Sequence, residues 1–596
     1  MAEANSTAPP FNLFRNFRRV WHLMLPKERR RAGLLFVGTI INSFVEILGL
    51  AAIIPIIGLV IQPELIHSNS YLHQAFIFTQ AIGIETEGEF LILAAIGLIF
   101  AFLFKAILNL GLNLIQTRFS LRIGHRISGM MWSYHFSQSL ERMRSSESGK
   151  VLEEINRWPL VLASAYFVGS MRLLNEVTVI LMIGIGLLTY SPVVLISVGI
   201  LIGIGTLIIR NTTRAKLQSI SELRRQLMPK VSTAINNAIR GFLEVISFRA
   251  SDPIRDEYLK DTALLYRIDS NLQVLNLTPS KLYEVLAVMG ISLSIIVGIL
   301  IGDTNEEFLN LLIIMAIAAY RVMPSMNRLN SQVFLMRSNY FMLNRIETAL
   351  QEFKRTGPQK SEAVEDIWSN PRIEIENLTV GYEALEEPVF QNLKWTFEPS
   401  KINAIVGPSG SGKSTLVNSI LGLQPSISGK IRIGENSTEL FELGATISKQ
   451  EWLAQVGYLS QSPFLFNGTV EDNLTMRIPG TNIDPGVVSE LVKRLDLGDC
   501  LGDEPLQFEL LEGGNNLSGG QQQRLAILRA LIYDRSVLIL DEATSALDRE
   551  NRDKVIALLR ERAEMGVTVL LITHDTEVAE QCDTCLNLME LNRETT

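Results

Sequence analysis

Two patterns of apolar and polar positions divide the 596-residue chain. In the first, apolar runs at residues 32–61, 90–115, 160–190, 193–209, 282–301 and 308–323 each approach the length of about 20 residues that crosses a bilayer as a helix. About six transmembrane spans are therefore predicted. Between the second and third runs, and again after the fourth, the sequence is basic and keeps a helical period, as in 217–246, so helices should continue from the spans into the adjoining aqueous phase. Residues 66–82, with Leu72, Phe76 and Phe78 near tyrosine and histidine, fit a short amphipathic helix at the membrane interface or an ordinary loop; both readings stand.

The second pattern begins after the polar, aperiodic stretch 351–371. Residues 372–380 alternate as a strand, and short apolar strands at 402–406 and 537–540 end in glycine-rich or acidic turns, the pattern of an α/β domain. The predicted division is thus a basic amphipathic segment 1–31, a membrane domain 32–350, a linker 351–371 and an α/β domain 372–596.

Composition agrees with a membrane part: 47% of residues are hydrophobic and 19% charged, and the mean hydropathy is positive. The first apolar run is too long for the core of a signal peptide, so it reads as an uncleaved span. Arg29, Arg30 and Arg31 precede that run, and further arginines and lysines fill the stretches after the second and fourth runs. The intervening loops 62–89, 191–192 and 302–307 contain acids but no Lys or Arg. The positive-inside rule then puts both ends of the membrane domain in the cytoplasm. A net charge of -8 suggests no nucleic-acid surface. The three cysteines, Cys500, Cys582 and Cys585, all lie late in the chain, which fits a reducing compartment, and the lone CxxC pair is a weak metal signal. The Asn-X-Thr triplets at Asn276 and Asn473 fall on the cytoplasmic side and read as incidental.

Charges inside the spans mark chemistry, because a charge at bilayer depth costs roughly 2.5–3.5 kcal/mol on insertion scales. Lys105 interrupts the second run, Lys281 opens the fifth beside Pro279, and Arg321 and Arg328 flank Pro324. With no carboxylate partner evident in the sequence, these four cations suggest a cavity for an anionic ligand; snorkelling to an interface is the other reading for Lys105 and Arg328.

Residues 407–415 read GPSGSGKST. Gly407, Ser409, Gly410 and Gly412 let backbone N–H groups close around phosphates, Lys413 brings a point charge to them, and Ser414, with Thr415 beside it at the start of a helix, offers a hydroxyl to Mg²⁺. Tyr382, about 25 residues earlier, stacks on an adenine or sits at a sheet edge; spacing does not decide. Downstream come Gln461, LSGGQ at 517–521, Asp541 and Glu542 after an apolar strand, SALD ending at Asp548, and His574 after another strand.

That series resembles the nucleotide-binding domain of the ATP-binding cassette (ABC) transporters, and the spans ahead of it resemble the exporter half-transporters. The resemblance implies ATP and Mg²⁺ as cofactors and a fold of six helical spans fused to an α/β P-loop domain. It implies a head-to-tail pair in which Ser518, Gly519, Gly520 and Gln521 of one copy meet the nucleotide held by the other. Asp541, Ser414 and Gln461 are expected at the metal, Glu542 at the attacking water, and His574 at the γ-phosphate, with Asp548 beside the site. As every catalytic position is intact, a homodimer is expected. Leu511 departs from the family, which usually has glycine there. Short stretches around Lys105 and at 319–329, together with the first span, resemble bacterial lipid-linked oligosaccharide flippases; these work in the inner membrane and move a polyprenyl-pyrophosphate glycan outward. Export of another lipid, a drug or a peptide is the alternative.

Overall fold

The computed structural model describes residues 11–52, 56, 66, 70–80, 83, 86–190, 192–301, 306–356, 368–382, 387–435 and 440–589. The chain folds into two compact units, Met1–Gln138 with Ser145–Pro358, and Ser139–Arg144 with Gln359–Thr596.

The first unit is helical. Its elements are α1 (Leu13–Leu23), α2 (Pro26–Ala51), α3 (Ser70–Gln80), α4 (Glu87–Phe136), α5 (Ser148–Thr189), α6 (Pro192–Arg240), α7 (Phe242–Ser247), α8 (Ser251–Ile301), α9 (Glu306–Ser338) and α10 (Tyr340–Thr356). By length and hydropathy α2, α4, α5 and α8 qualify as spans among the described residues, and Gly199–Ile209 within α6 is a shorter apolar stretch. The sixth expected run lies in α9. The basic stretches are helical extensions of α4 and α6, as their periodicity predicts. α3 lies within the interfacial stretch 66–82, whose residues 67–69 and 81–82 fall outside those described; Phe76 packs edge-on against Phe90 and buries with Ile66. The linker expected from residue 351 begins later, because the amphipathic pattern of α10 runs on to Thr356.

Packing explains the inner end of this unit. Val20, Met24, Ile127, Trp158, Tyr166 and Ile346 form one apolar cluster. At Gly124 a Cβ would stand 2.9 Å from that of Ala163, so only glycine lets α4 and α5 approach this closely. Two π-helical turns, Glu153–Arg157 and Ala163–Val168, interrupt α5. Charges here are paired: Arg126 forks onto Glu28 with two 2.9 Å hydrogen bonds, and the buried Glu154 carboxylate meets His135 at 3.1 Å and Arg345 at 2.9 Å.

The second unit has strands β1 (Arg372–Val380), β2 (Phe390–Phe397), β3 (Ile402–Val406), β4 (Ser428–Gly434), β5 (Phe441–Glu442), β6 (Val456–Leu459), β7 (Gly468–Thr469), β8 (Glu509–Leu510), β9 (Val537–Asp541), β10 (Thr568–Ile572) and β11 (Thr584–Asn587). Five form a parallel sheet in the order β11-β3-β10-β9-β6, and four an antiparallel sheet β2-β1-β4-β5. The helices α11 (Lys413–Ile420), α12 (Gly519–Leu531) and α13 (Arg549–Glu564) cover the parallel strands, whose middle members β9 and β10 are buried at every position.

Trp452 pins the two sheets' shared core: its side chain is fully buried, and its indole N–H donates to the Ile420 carbonyl at 2.6 Å. Trp452→Ala removes both packing and hydrogen bond, so a loss of about 3–5 kcal/mol is expected. A lower melting temperature of the purified full chain is the measurement; an unchanged one would place the core elsewhere.

Candidate functional site

Strand order assembles the nucleotide site. β3, β10 and β9 are neighbours and parallel, with β6 beside β9, so the residues that follow their C-terminal ends share one edge of the sheet. After β3 comes the phosphate loop, at the end of β9 Asp541 with Glu542 next, after β10 His574, and after β6 Gln461.

The loop is shaped for backbone donors. Gly410 and Gly412 have φ of +83° and +95°, and a Cβ at Gly412 would fall 2.4 Å from the Phe390 ring. Lys413 is buried and donates to the carbonyls of Gly407 (2.6 Å) and Pro408 (3.0 Å), so its ammonium is folded back along the loop. Ser411 Oγ is buried without a hydrogen-bond partner, the mark of a site that completes itself on a ligand. The motif gives Ser411 no role of its own, and only burial singles it out. Ser414 is exposed beside it, whereas Thr415 is buried and shares a 3.0 Å hydrogen bond with the Tyr382 hydroxyl. That bond ties the tyrosine to the start of α11.

Burial pushes the Asp541 carboxyl above its usual range; the neighbouring Glu542 adds to this and Lys413 opposes it. A divalent cation would reverse that cost, and the oxygen donors here, the Asp541 carboxylate, the Ser414 hydroxyl and the Gln461 amide, are the hard ligands that suit Mg²⁺. Glu542 sits in left-handed backbone, φ +51°, a conformation that costs a non-glycine residue about 1–3 kcal/mol. Three bonds hold it. Its N–H donates to Ile572 O at 3.0 Å, and its carbonyl accepts from Gln523 Nε2 at 2.9 Å and Ser545 Oγ at 3.0 Å. The carboxylate is thereby presented between two partners, Gln461 Nε2 at 2.7 Å and His574 Nδ1 at 3.5 Å. The fold thus brings together the three residues expected to act on the reacting phosphate and water.

Ser518 caps α12 reciprocally with Gln521: Ser518 Oγ accepts from the Gln521 N–H, and the Gln521 side chain accepts from that of Ser518. Gly519 and Gly520 open the helix, leaving N–H groups for an outside anion. Asp548 caps α13, accepting from Asn551 N–H at 2.8 Å. Gln523, one turn into α12, joins the Glu542 carbonyl to the Ala546 N–H and so couples the helix to the catalytic turn. Nothing in the motif pattern singles it out. Leu511 stands exposed after β8, its N–H held by Asn516. Cys582 bonds back to Val578 and packs on the core, its thiol pushed up to about 11 by burial, which suits a structural thiol rather than a metal ligand. Among the described residues no group of three or more His, Cys, Asp or Glu side chains is placed to hold a metal ion.

The membrane unit corrects the reading of unpaired cations. Arg328 is bidentate on Glu176, at 2.5 and 3.0 Å; Arg321 pairs with Glu46, whose backbone carbonyl also accepts from Lys105 at 3.3 Å; Lys281 meets Glu284 at 3.0 Å on an exposed face. Each pairing spans sequence separations or helix turns that hydropathy does not report. Nor do the four share a cavity. A polar cavity of about 620 Å³ in this unit includes Arg328, Glu176 and Glu46 in its lining, but not Lys105, Lys281 or Arg321. Its other cation is Arg172, exposed and without a carboxylate partner among the described residues. The apolar run 160–190 conceals it.

Comparison with known proteins places this geometry. The family described as ABC transporter matches residues 390–545. The lactococcin-G-processing and transport ATP-binding protein LagD of Lactococcus lactis subsp. lactis is 25% identical over 82% of this chain and 68% of that protein. An ATP-dependent lipid A-core flippase of Burkholderia orbicola is 37% identical over 36% of this chain and 35% of its own length, and the mycobactin import ATP-binding/permease protein IrtB of Mycolicibacterium smegmatis is 37% identical over 33% of this chain and 32% of its own. The structure of a bacterial Atm1-family ABC exporter with ATP bound superposes with a TM-score of 0.73 over 95% of this chain and 96% of that one, at 18% identity. The helical membrane domain with a C-terminal α/β cassette expected from sequence is thus the fold observed.

Glu542→Gln keeps the hydrogen bonds and removes the charge, so ATP binding is expected to persist while steady-state hydrolysis falls at least about 10²-fold; retained turnover would put the base elsewhere. A raised Asp541 pKa means the native state holds the proton more tightly than the unfolded one, so its contribution is lost as pH rises through the folded pKa. At neutral pH Asp541→Asn should therefore raise the melting temperature of the nucleotide-free protein and abolish Mg²⁺-dependent ATP turnover.

Proposed function

We propose, from the premise that this chain is an ABC exporter half-transporter, a membrane ATPase whose hydrolysis of ATP with Mg²⁺ is coupled to transport, that it acts as a homodimer and flips a polyprenyl-pyrophosphate-linked oligosaccharide from the cytoplasmic to the outer leaflet of a bacterial inner membrane. Each nucleotide lies between the phosphate loop of one copy and Ser518, Gly519, Gly520 and Gln521 of the other. Lys413 turns from its two carbonyls to the phosphates, and Ser414, Asp541 and Gln461 would hold Mg²⁺, which would supply charge to offset that of the phosphates. Glu542 orients and polarises water, with Gln461 and His574 fixing its carboxylate until the γ-phosphate replaces one of those contacts. Positioning and charge stabilisation carry the reaction, and no covalent intermediate is needed. Tyr382, tethered through Thr415, borders the base.

The observation that supports the cargo is a guanidinium in one polar cavity that has no carboxylate partner among the described residues. In the lining Arg328 is paired with Glu176, and Glu46 is paired with Arg321 from outside it, which leaves Arg172 for an anionic group. Guanidinium forks match phosphate geometry. The cavity residues lie toward the ends of the apolar runs that lead to the cytoplasmic domain, where a headgroup enters from the inner leaflet.

Arg172→Ala tests this without stranding a buried carboxylate. In proteoliposomes with a fluorescent polyprenyl-pyrophosphate oligosaccharide, the parent should translocate the lipid with ATP and Glu542→Gln should not. Arg172→Ala should hydrolyse ATP while translocation falls about ten-fold or more. Hydrolysis without glycolipid movement in the parent would remove this cargo in favour of another lipid, a drug or a peptide.

A further inference from the structure

Charge is the smaller part of the cavity's chemistry. Eight of its nineteen lining residues are carboxamides, contributed by α2, α4, α5, α8 and α9. Primary amides are costly near a bilayer unless each finds a partner, and several do. Gln116 donates to Thr39 at 2.8 Å, Asn113 to Asn109, Asn175 accepts from Ser43 at 2.9 Å, and Gln332 donates to the Ala165 carbonyl at 2.9 Å. Two do not: the Oδ1 atoms of Asn276 on α8 and Asn327 on α9 are buried with no hydrogen-bond partner. Both residues line the cavity, on helices that pack against each other.

We infer that this cavity binds the hydroxyl-bearing part of its cargo, and that Asn276 and Asn327 accept hydrogen bonds from the sugar nearest the lipid anchor. An orphaned amide oxygen requires a donor. Hydroxyl and acetamido groups of a sugar do both things this lining asks for: they donate to the orphaned oxygens and accept from the remaining amides and the guanidinium groups in return. The volume of about 620 Å³ falls within the span of about 300–1,000 Å³ that small-molecule sites occupy. This deepens the cargo reading and rests on it for the site, while the specificity it assigns is to hydroxyls rather than to pyrophosphate. Asn276, which opens an incidental-looking Asn-Leu-Thr triplet, thereby gains a role.

Binding to the purified full chain in nanodiscs separates the two claims. The probes are polyprenyl pyrophosphate with and without a disaccharide, and diacylglycerol with and without the same disaccharide. Both sugar-bearing lipids should bind the parent at least about ten-fold tighter than their bare counterparts, as two hydrogen bonds to buried acceptors predict. The double variant Asn276→Leu, Asn327→Leu should erase that ratio for both lipids. Asn276→Asp with Asn327→Asp, which keeps the acceptors, should retain it for the uncharged diacylglycerol glycolipid, and a melting temperature near the parent's identifies variants that fold. Equal affinity for sugar-bearing and bare lipids in the parent, or a ratio that survives the leucine pair, overturns the inference. Loss of the pyrophosphate lipid's binding with the diacylglycerol ratio intact refutes the pyrophosphate cargo alone.

Discussion

The second unit depends on one turn, the left-handed residue that follows β9. A glutamate forced into that conformation points its carboxylate off the strand axis and into the space beyond the sheet edge, between Gln461 and His574. The backbone strain is tolerable because three hydrogen bonds from different elements over-determine it: β10 through Ile572, α12 through Gln523, and the following turn through Ser545. The same anchorage ties the helix that begins with Ser518 to the Glu542 turn of its own chain, since Gln523 grips both the Glu542 carbonyl and the Ala546 N–H. A movement of either end is felt by the other.

In the membrane unit the governing term is the cost of charge away from water. Glu46 and Glu176 answer it by standing opposite arginines from α9, so that α2 and α5 are each linked to that helix by an ion pair. Removing one partner of such a pair costs about 3–5 kcal/mol, because it leaves the other charge uncompensated. The pairs therefore act as fasteners between these helices, and among the described residues of the cavity's lining Arg172 is the cation without a carboxylate partner.

The candidate nucleotide site was legible as an arrangement because its motifs are local. Nine consecutive residues state the phosphate loop, and Ser518, Asp541, Glu542 and His574 each sit in short motifs at the ends of apolar strands or the start of a helix, where backbone geometry fixes their direction. Gln523 and Ser411 were not legible; one is marked by a contact 19 residues away and the other by the burial of its hydroxyl, and neither leaves a periodic trace. Lys105, Lys281, Arg321 and Arg328 show the complementary failure. Their positions in or near the spans are as the sequence indicates, but their partners lie on other helices, up to 275 residues away for Arg321 and Glu46, or on a solvent-facing turn for Lys281. Arg172 was masked by its apolar neighbours.

The two π-turns of α5 bear on how this surface is inherited. Each holds one residue more than an α-turn, so everything downstream is rotated by about 100° relative to an uninterrupted helix. Arg172, Asn175 and Glu176 face the cavity only after both insertions have been counted. A lineage that lost a single codon within either turn would keep a perfectly good span, with every residue of that face unchanged in type, and would turn the face away from the cavity. In this segment the phase of the helix, more than the identity of its residues, decides which side chains line the cavity.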